Sequence, residues 1–150
     1  MKFRNIFRIV LLIAIIVPVF VSCANDDNKN TVDDIEDTLQ EGSWKVAYFY
    51  HSSEDKTQNY AGYNFVFSED ILVTVTKGTD TYSGSWFISK STSDADLFSN
   101  IFKLSLESPE VLIQLNGDWK VMENTGKFLM LKDDSKGDSA INHLTFEKIE

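Results

Sequence analysis

Tyr82-Ser83-Gly84-Ser85-Trp86-Phe87-Ile88-Ser89 sets the fold class of this chain. Tyr82, Gly84, Trp86 and Ile88 take one set of alternate positions, and Ser83, Ser85 and Ser89 the other. Period-two alternation in aromatic and β-branched residues is the mark of a strand with one oily and one wet face. The same rhythm runs outward in both directions. Before it lie Trp44-Val46-Tyr48, Tyr63-Phe65-Phe67 and Val73-Val75, each spaced by one residue. After it lie Phe102-Leu104-Leu106, Trp119-Val121, Leu129-Leu131 and Leu144-Phe146. Turn formers punctuate the runs: Ser68-Glu69-Asp70, Lys77-Gly78-Thr79, Asn124-Thr125-Gly126 and the stretch from Asp133 to Asp138. These are eight short strands in succession. An open sheet would leave two edges and a bare apolar face, so the pattern predicts an all-β, up-and-down antiparallel barrel.

Two segments break the rhythm. Ser91 to Asn100 is polar and reads as a loop. Ser108-Pro109-Glu110, followed by Val111, Leu112 and Leu115 and then Gly117, reads as a helical turn capped by Ser108, with Pro109 first. Val111 and Ile113 suit a strand as well. Ahead of the barrel, Thr31 to Gln40 is predicted to be a short helix. Thr31 caps it, Val32, Ile35 and Leu39 share a stripe, and Gly42 stops it.

The first residues are of another kind. Lys2, Arg4 and Arg8 precede an apolar run of thirteen residues, Ile9 to Val21, interrupted by Pro18. A spanning helix needs roughly 20 residues, so this reads as a secretory signal covering 1–22. Phe20-Val21-Ser22-Cys23-Ala24 resembles the lipobox of bacterial lipoproteins. That resemblance implies lipidation of the Cys23 thiol, cleavage before it and acylation of the new amino group. Cys23 is the sole cysteine, which excludes a disulfide within the chain. Residues 23–31 hold no large apolar side chain and read as a flexible tether to a domain spanning 32–150. Asp26 and Asp27 read equally as solvated linker or as the acidic signals that send some lipoproteins of Gram-negative anaerobes to the outer face.

Charge excludes some partners. The whole chain carries 14 basic and 23 acidic residues. Loss of residues 1–22 removes three basic residues and leaves a formal charge of −12. Phosphate backbones are repelled, so nucleic-acid binding is not expected. The body of the domain should also stand off anionic lipid.

Gly42-Ser43-Trp44, just after a short helix, resembles the Gly-x-Trp signature of lipocalins. Gly84-Ser85-Trp86 repeats the element. Leu115-Asn116-Gly117-Asp118-Trp119-Lys120-Val121 and Leu144-Thr145-Phe146-Glu147-Lys148 resemble lipocalin-like envelope lipoproteins of Gram-negative anaerobes. The resemblance covers about Glu41 to Glu150. It implies a meander barrel with the helix near one end, lipid-anchored in the envelope, on the periplasmic or cell-surface side of the outer membrane.

Chemistry is sparse. With Cys23 lipidated, His51 and His143 form no metal-ligating set, and no cofactor is expected. Strict alternation puts Asp118 and Glu123 on opposite faces and His143 outward. Asp133, Asp134 and Asp138 beside Gly137 have the ligand types for Ca²⁺, though not the spacing of a calcium hand, and also read as a solvated tip. No nucleophile–base motif is present, so the chain reads as non-enzymatic. The aromatic residues Trp44, Tyr48, Tyr63, Phe65, Phe67, Trp86, Phe102 and Trp119 should face inward. Trp44 belongs to the core beside the helix. Tyr48, Tyr63, Phe65, Trp86, Phe102 and Trp119 either fill the interior or line a pocket for a small apolar or amphipathic ligand. The alternative function is an interaction or scaffold module with a filled barrel, in which Phe49, Tyr50 and Phe87 point outward.

Overall fold

The computed structural model describes residues 31–91, 99–135 and 141–150. The signal, Cys23, the tether up to residue 30, most of the 91–100 loop, Gly137 and Asp138 lie outside the described residues.

Helix α1 (Val32–Gln40) leads into β1 (Ser43–His51), β2 (Glu54–Asp55) and a 3-10 turn (Thr57–Tyr60). Then come β3 (Asn64–Phe67), β4 (Leu72–Lys77), β5 (Asp80–Lys90) and β6 (Asn100–Leu106). Helix α2 (Glu110–Ile113) precedes β7 (Gly117–Asn124), β8 (Phe128–Asp133) and β9 (Asn142–Ile149). Apart from β2, each strand pairs antiparallel with the next, and β9 returns to β1 from Ser43↔Ile149 to Tyr50↔His143. The closed eight-stranded meander is therefore as the alternation predicts. Strand β2 is an addition. Ser52 and Ser53 both have positive φ (54° and 66°), the backbone of a two-residue hairpin turn, and fold Glu54 back onto His51.

Thr31 caps α1 as expected. Its hydroxyl accepts from the Asp34 amide, and the Asp34 carboxylate accepts from the Thr31 amide. Ile35 and Leu39 are fully buried, and the Trp44 indole donates to the Leu39 carbonyl at 2.9 Å. The helix thereby closes the barrel end at which β1 begins. At α2 the cap differs from expectation. Pro109 stands at the cap, Glu110 is the first helical residue, and no side chain caps it. The Pro109 carbonyl accepts from Leu112 N at 2.8 Å, and Leu112 is fully buried.

Two bulges correct the strict alternation. In β1, Val46 pairs with Phe146 and Tyr48 with Thr145, so Ala47 is an extra residue. Phe49 is consequently buried, against the outward expectation, and Tyr48 points outward at 41% exposure, against the inward one. In β7, Val121 pairs with Leu131 and Glu123 with Met130, so Met122 is the extra residue. Asp118 and Glu123 therefore both face solvent, against the expectation of opposite faces.

Candidate functional site

Of the six candidate ligand residues, Tyr63, Phe65, Trp86, Phe102 and Trp119 are buried in the barrel. Phe65, Phe67, Phe102 and Phe146 are at most 1% exposed. The Phe67 ring meets Trp86 at 5.4 Å, Phe146 at 5.7 Å and Phe102 at 5.9 Å, all edge to face. Phe65 meets Phe146 at 5.3 Å in the same manner. These separations are those of rings in direct contact. The middle of the barrel is thus filled by mutual aromatic packing.

The end away from α1 is also plugged. Tyr60, on the 3-10 turn, is 1% exposed and its hydroxyl donates to the Val111 carbonyl of α2 at 2.8 Å. Its ring stands edge-on to Phe49 at 5.2 Å, and burial pushes its hydroxyl pKa up. Phe49 in turn meets Trp119 at 6.3 Å, whose indole donates to Leu115 O at 2.9 Å. Leu112 and Leu115 are fully buried above these rings.

The six candidate ligand residues do not share one site. Phe65, Trp86 and Phe102 belong to the central cluster. Trp119 belongs to the plug. Tyr63, just ahead of β3, lies under the Lys77 ammonium at 4.3 Å and beside Tyr82. Tyr48 is outside. Tyr60 carried no usable sequence signal, being embedded in the polar stretch Thr57-Gln58-Asn59.

The other candidates resolve simply. His51 stacks on Phe49 at 5.5 Å, and His143 is exposed, as expected. Asp134 is gripped by Lys120 (2.9 Å) and Lys132 (3.1 Å), whose hydrogen bonds hold its carboxyl below the ordinary range. Asp133 accepts from the Asn142 amide. Among the described residues no group of three His, Cys, Asp or Glu side chains is placed to hold a metal ion.

The outer surface carries the less ordinary features. Across β1, β9, β8 and β7, one row of paired positions reads Tyr48, Thr145, Met130 and Glu123, with the bulged Met122 beside Glu123. Tyr48, Met130 and Met122 are 41%, 37% and 54% exposed. The row on one side is Lys45, Glu147 and Phe128, and the row on the other is Tyr50, His143, Lys132 and Lys120. A strip of three exposed apolar side chains, Tyr48, Met130 and Met122, interrupted by Thr145 and ended by Glu123, thus lies between rows that carry Lys45 and Glu147 on one side and Lys132 and Lys120 on the other, comparable to an interface centre with a polar rim. Both bulges fall at the level of the strip, and each turns a side chain outward. Farther round, Phe87 is exposed as expected and sits in a shallow hollow of about 270 Å³ with Lys103, Asp118, Ser85 and Ser105.

No protein-family model and no curated protein matches the sequence. Among solved structures, a DUF4847 family protein from Bacteroides vulgatus is similar, with a TM-score of 0.51 and 17% identity. The similarity covers 77% of this chain and 97% of that one. At that identity the likeness supports the barrel fold and nothing finer.

Proposed function

We propose that this chain is a non-enzymatic, lipid-anchored envelope protein, attached through Cys23, and that its lipocalin-like barrel works through its outer surface. The carrying observation is the contact of Phe67 with Trp86, Phe102 and Phe146, which occupies the space a ligand would take. A ligand-binding barrel needs a pocket of about 300 Å³ or more. To make one here, rings already in contact would have to part. The Tyr48–Met130–Met122 strip is the best-placed contact surface for a partner protein in the envelope.

Photo-crosslinking in the native envelope tests this. A photoreactive residue at Tyr48 or Met122 should capture a discrete partner, and one at Thr74, on a different part of the outer wall, should not. Capture from neither strip position, or equally from all three, would refute the surface reading. Native mass spectrometry of the purified protein tests the rival directly. A stoichiometric co-purifying small molecule would restore the reading of the barrel interior as a ligand site.

A further inference from the structure

The turn between β3 and β4 concentrates two anomalies on one side chain. Ser68 N donates to Leu72 O at 2.9 Å to close the turn, and Trp86 N donates to Ile71 O at 2.8 Å to bind it to β5. Within it Ile71 has φ of 61°, a left-handed backbone that β-branched residues avoid. Glycine or asparagine is the ordinary occupant. Yet the Ile71 side chain is 55% exposed, so burial does not compensate the strain. Leu72 beside it is 49% exposed. Leu72 pairs with Ser85, which makes the exposed Phe87 its diagonal neighbour on the outer face. Strained backbone persists where the surrounding structure over-determines it, and such residues cluster at functional sites.

The position of the turn says what it meets. Strand β3 ends at the α1 end of the barrel, where α1 packs on β3 and β5. The described chain begins at the same end, at Thr31. Thr31 lies only eight positions after Cys23, a reach of at most about 29 Å when fully extended. An anchor on Cys23 therefore keeps this end of the barrel close to the bilayer. The flanking charge selects among lipids. Glu69 and Asp70 stand in the turn itself, and Asp33, Asp34 and Asp37 lie on α1. Carboxylates near an anionic surface are repelled, while a neutral headgroup layer imposes no such cost.

We propose that Ile71 and Leu72, flanked by Phe87, form an apolar spur that enters the headgroup layer of the bilayer holding the anchor, and that this layer is electrically neutral there. The proposal rests on the reading of Cys23 as the lipidated residue. It refines the expectation that an acidic domain stands off the membrane, because that repulsion applies to anionic lipid.

The test uses the full, acylated chain in phosphatidylcholine vesicles. With Cys23 blocked by its lipid, Ile71→Cys offers one free thiol for a fluorophore, and Thr74→Cys offers a control on the outer wall. Nitroxide-bearing lipid should quench the label at position 71 at least about twofold more than the control, as expected for apolar groups lying within the interface. Admixture of phosphatidylglycerol should reduce that difference. An acylated chain that floats with the vesicles, yet leaves position 71 as open to aqueous iodide as position 74, overturns the spur alone. Absence of acyl mass on Cys23 overturns the anchor reading and the spur with it.

Discussion

Replacing Phe67 by Ala separates a filled barrel from a hollow one. The ring is 1% exposed and touches Trp86, Phe102 and Phe146. Taking it out of the core forfeits a transfer term of about 2–3 kcal/mol. In a packed interior it also leaves a void on the order of 80 Å³, which at about 24 cal/mol per Å³ adds about 2 kcal/mol. The expected loss is therefore about 4–5 kcal/mol, against about 2 kcal/mol if the ring already bordered an open pocket. A domain of this size has on the order of 5–15 kcal/mol to lose, so the variant should stay folded in water. Urea unfolding followed by tryptophan fluorescence reads the change, with Trp86 reporting from the next side chain. Xenon under pressure supplies the second arm, because a dry engineered cavity binds it. It should stabilise the variant and leave the parent unchanged. A loss near 2 kcal/mol with an unaltered denaturant slope, or equal stabilisation of the parent by xenon, would refute the filled core.

Other perturbations probe the frame and the surface. A Cβ at Gly84 would lie 2.2 Å from the Ser105 carbonyl oxygen, so Gly84→Ala must push β5 and β6 apart. It should cost about 1–3 kcal/mol in urea unfolding, the range for overpacking; an unchanged midpoint would show the contact to be slack. Ile71→Asn should raise the melting temperature, since asparagine tolerates the left-handed backbone and the strain relieved is about 1 kcal/mol. If the spur meets the bilayer, that more stable variant should nonetheless lose its contact with lipid. Asp134 titrates low because Lys120 and Lys132 bind its charged form, so the stabilisation it confers is present above the ordinary carboxylate pKa and fades as pH falls through its depressed value. The carboxylate is partly exposed, so Asp134→Asn should cost no more than about 1 kcal/mol at neutral pH. The penalty should shrink away as acidification protonates the carboxylate; a penalty independent of pH would mean that charge is not its cause.

How far the sequence could be read depended on whether polar residues marked the phase of each strand. Val73 and Val75, Trp86 and Ile88, and Leu144 and Phe146 are separated by Thr, Phe and Thr. Polar or exposed neighbours on either side leave a single register, and all six side chains are buried. In β1 the run Val46-Ala47-Tyr48-Phe49-Tyr50 contains no charged residue, so nothing in it fixes where the alternation slips. Ala47 is small enough to occupy a bulge at little packing cost. At the second bulge the adjacent apolar pair Val121-Met122 likewise leaves the slip unmarked. The plug was less legible still. Tyr60 becomes a core residue only because the turn after β2 returns it to Phe49 and Val111, 11 and 51 residues away in sequence. Local periodicity carries no such information.

The bulge at Ala47 connects the interior to the surface. Without the extra residue, the phase set by Trp44 and Val46 would carry Tyr48 inward and Phe49 outward. With it, Phe49 turns in to meet Tyr60, Trp119 and His51, and Tyr48 turns out beside Thr145 and Met130. Sealing the far mouth of the barrel and building the apolar strip on its wall are thus two consequences of one local event. A barrel that gained a ligand pocket by restoring strict alternation would lose its plug and the aromatic end of its strip together. That coupling favours the outer wall as the working surface of a closed barrel, because the one bulge that turns Phe49 in to shut the interior also turns Tyr48 out to supply the contact.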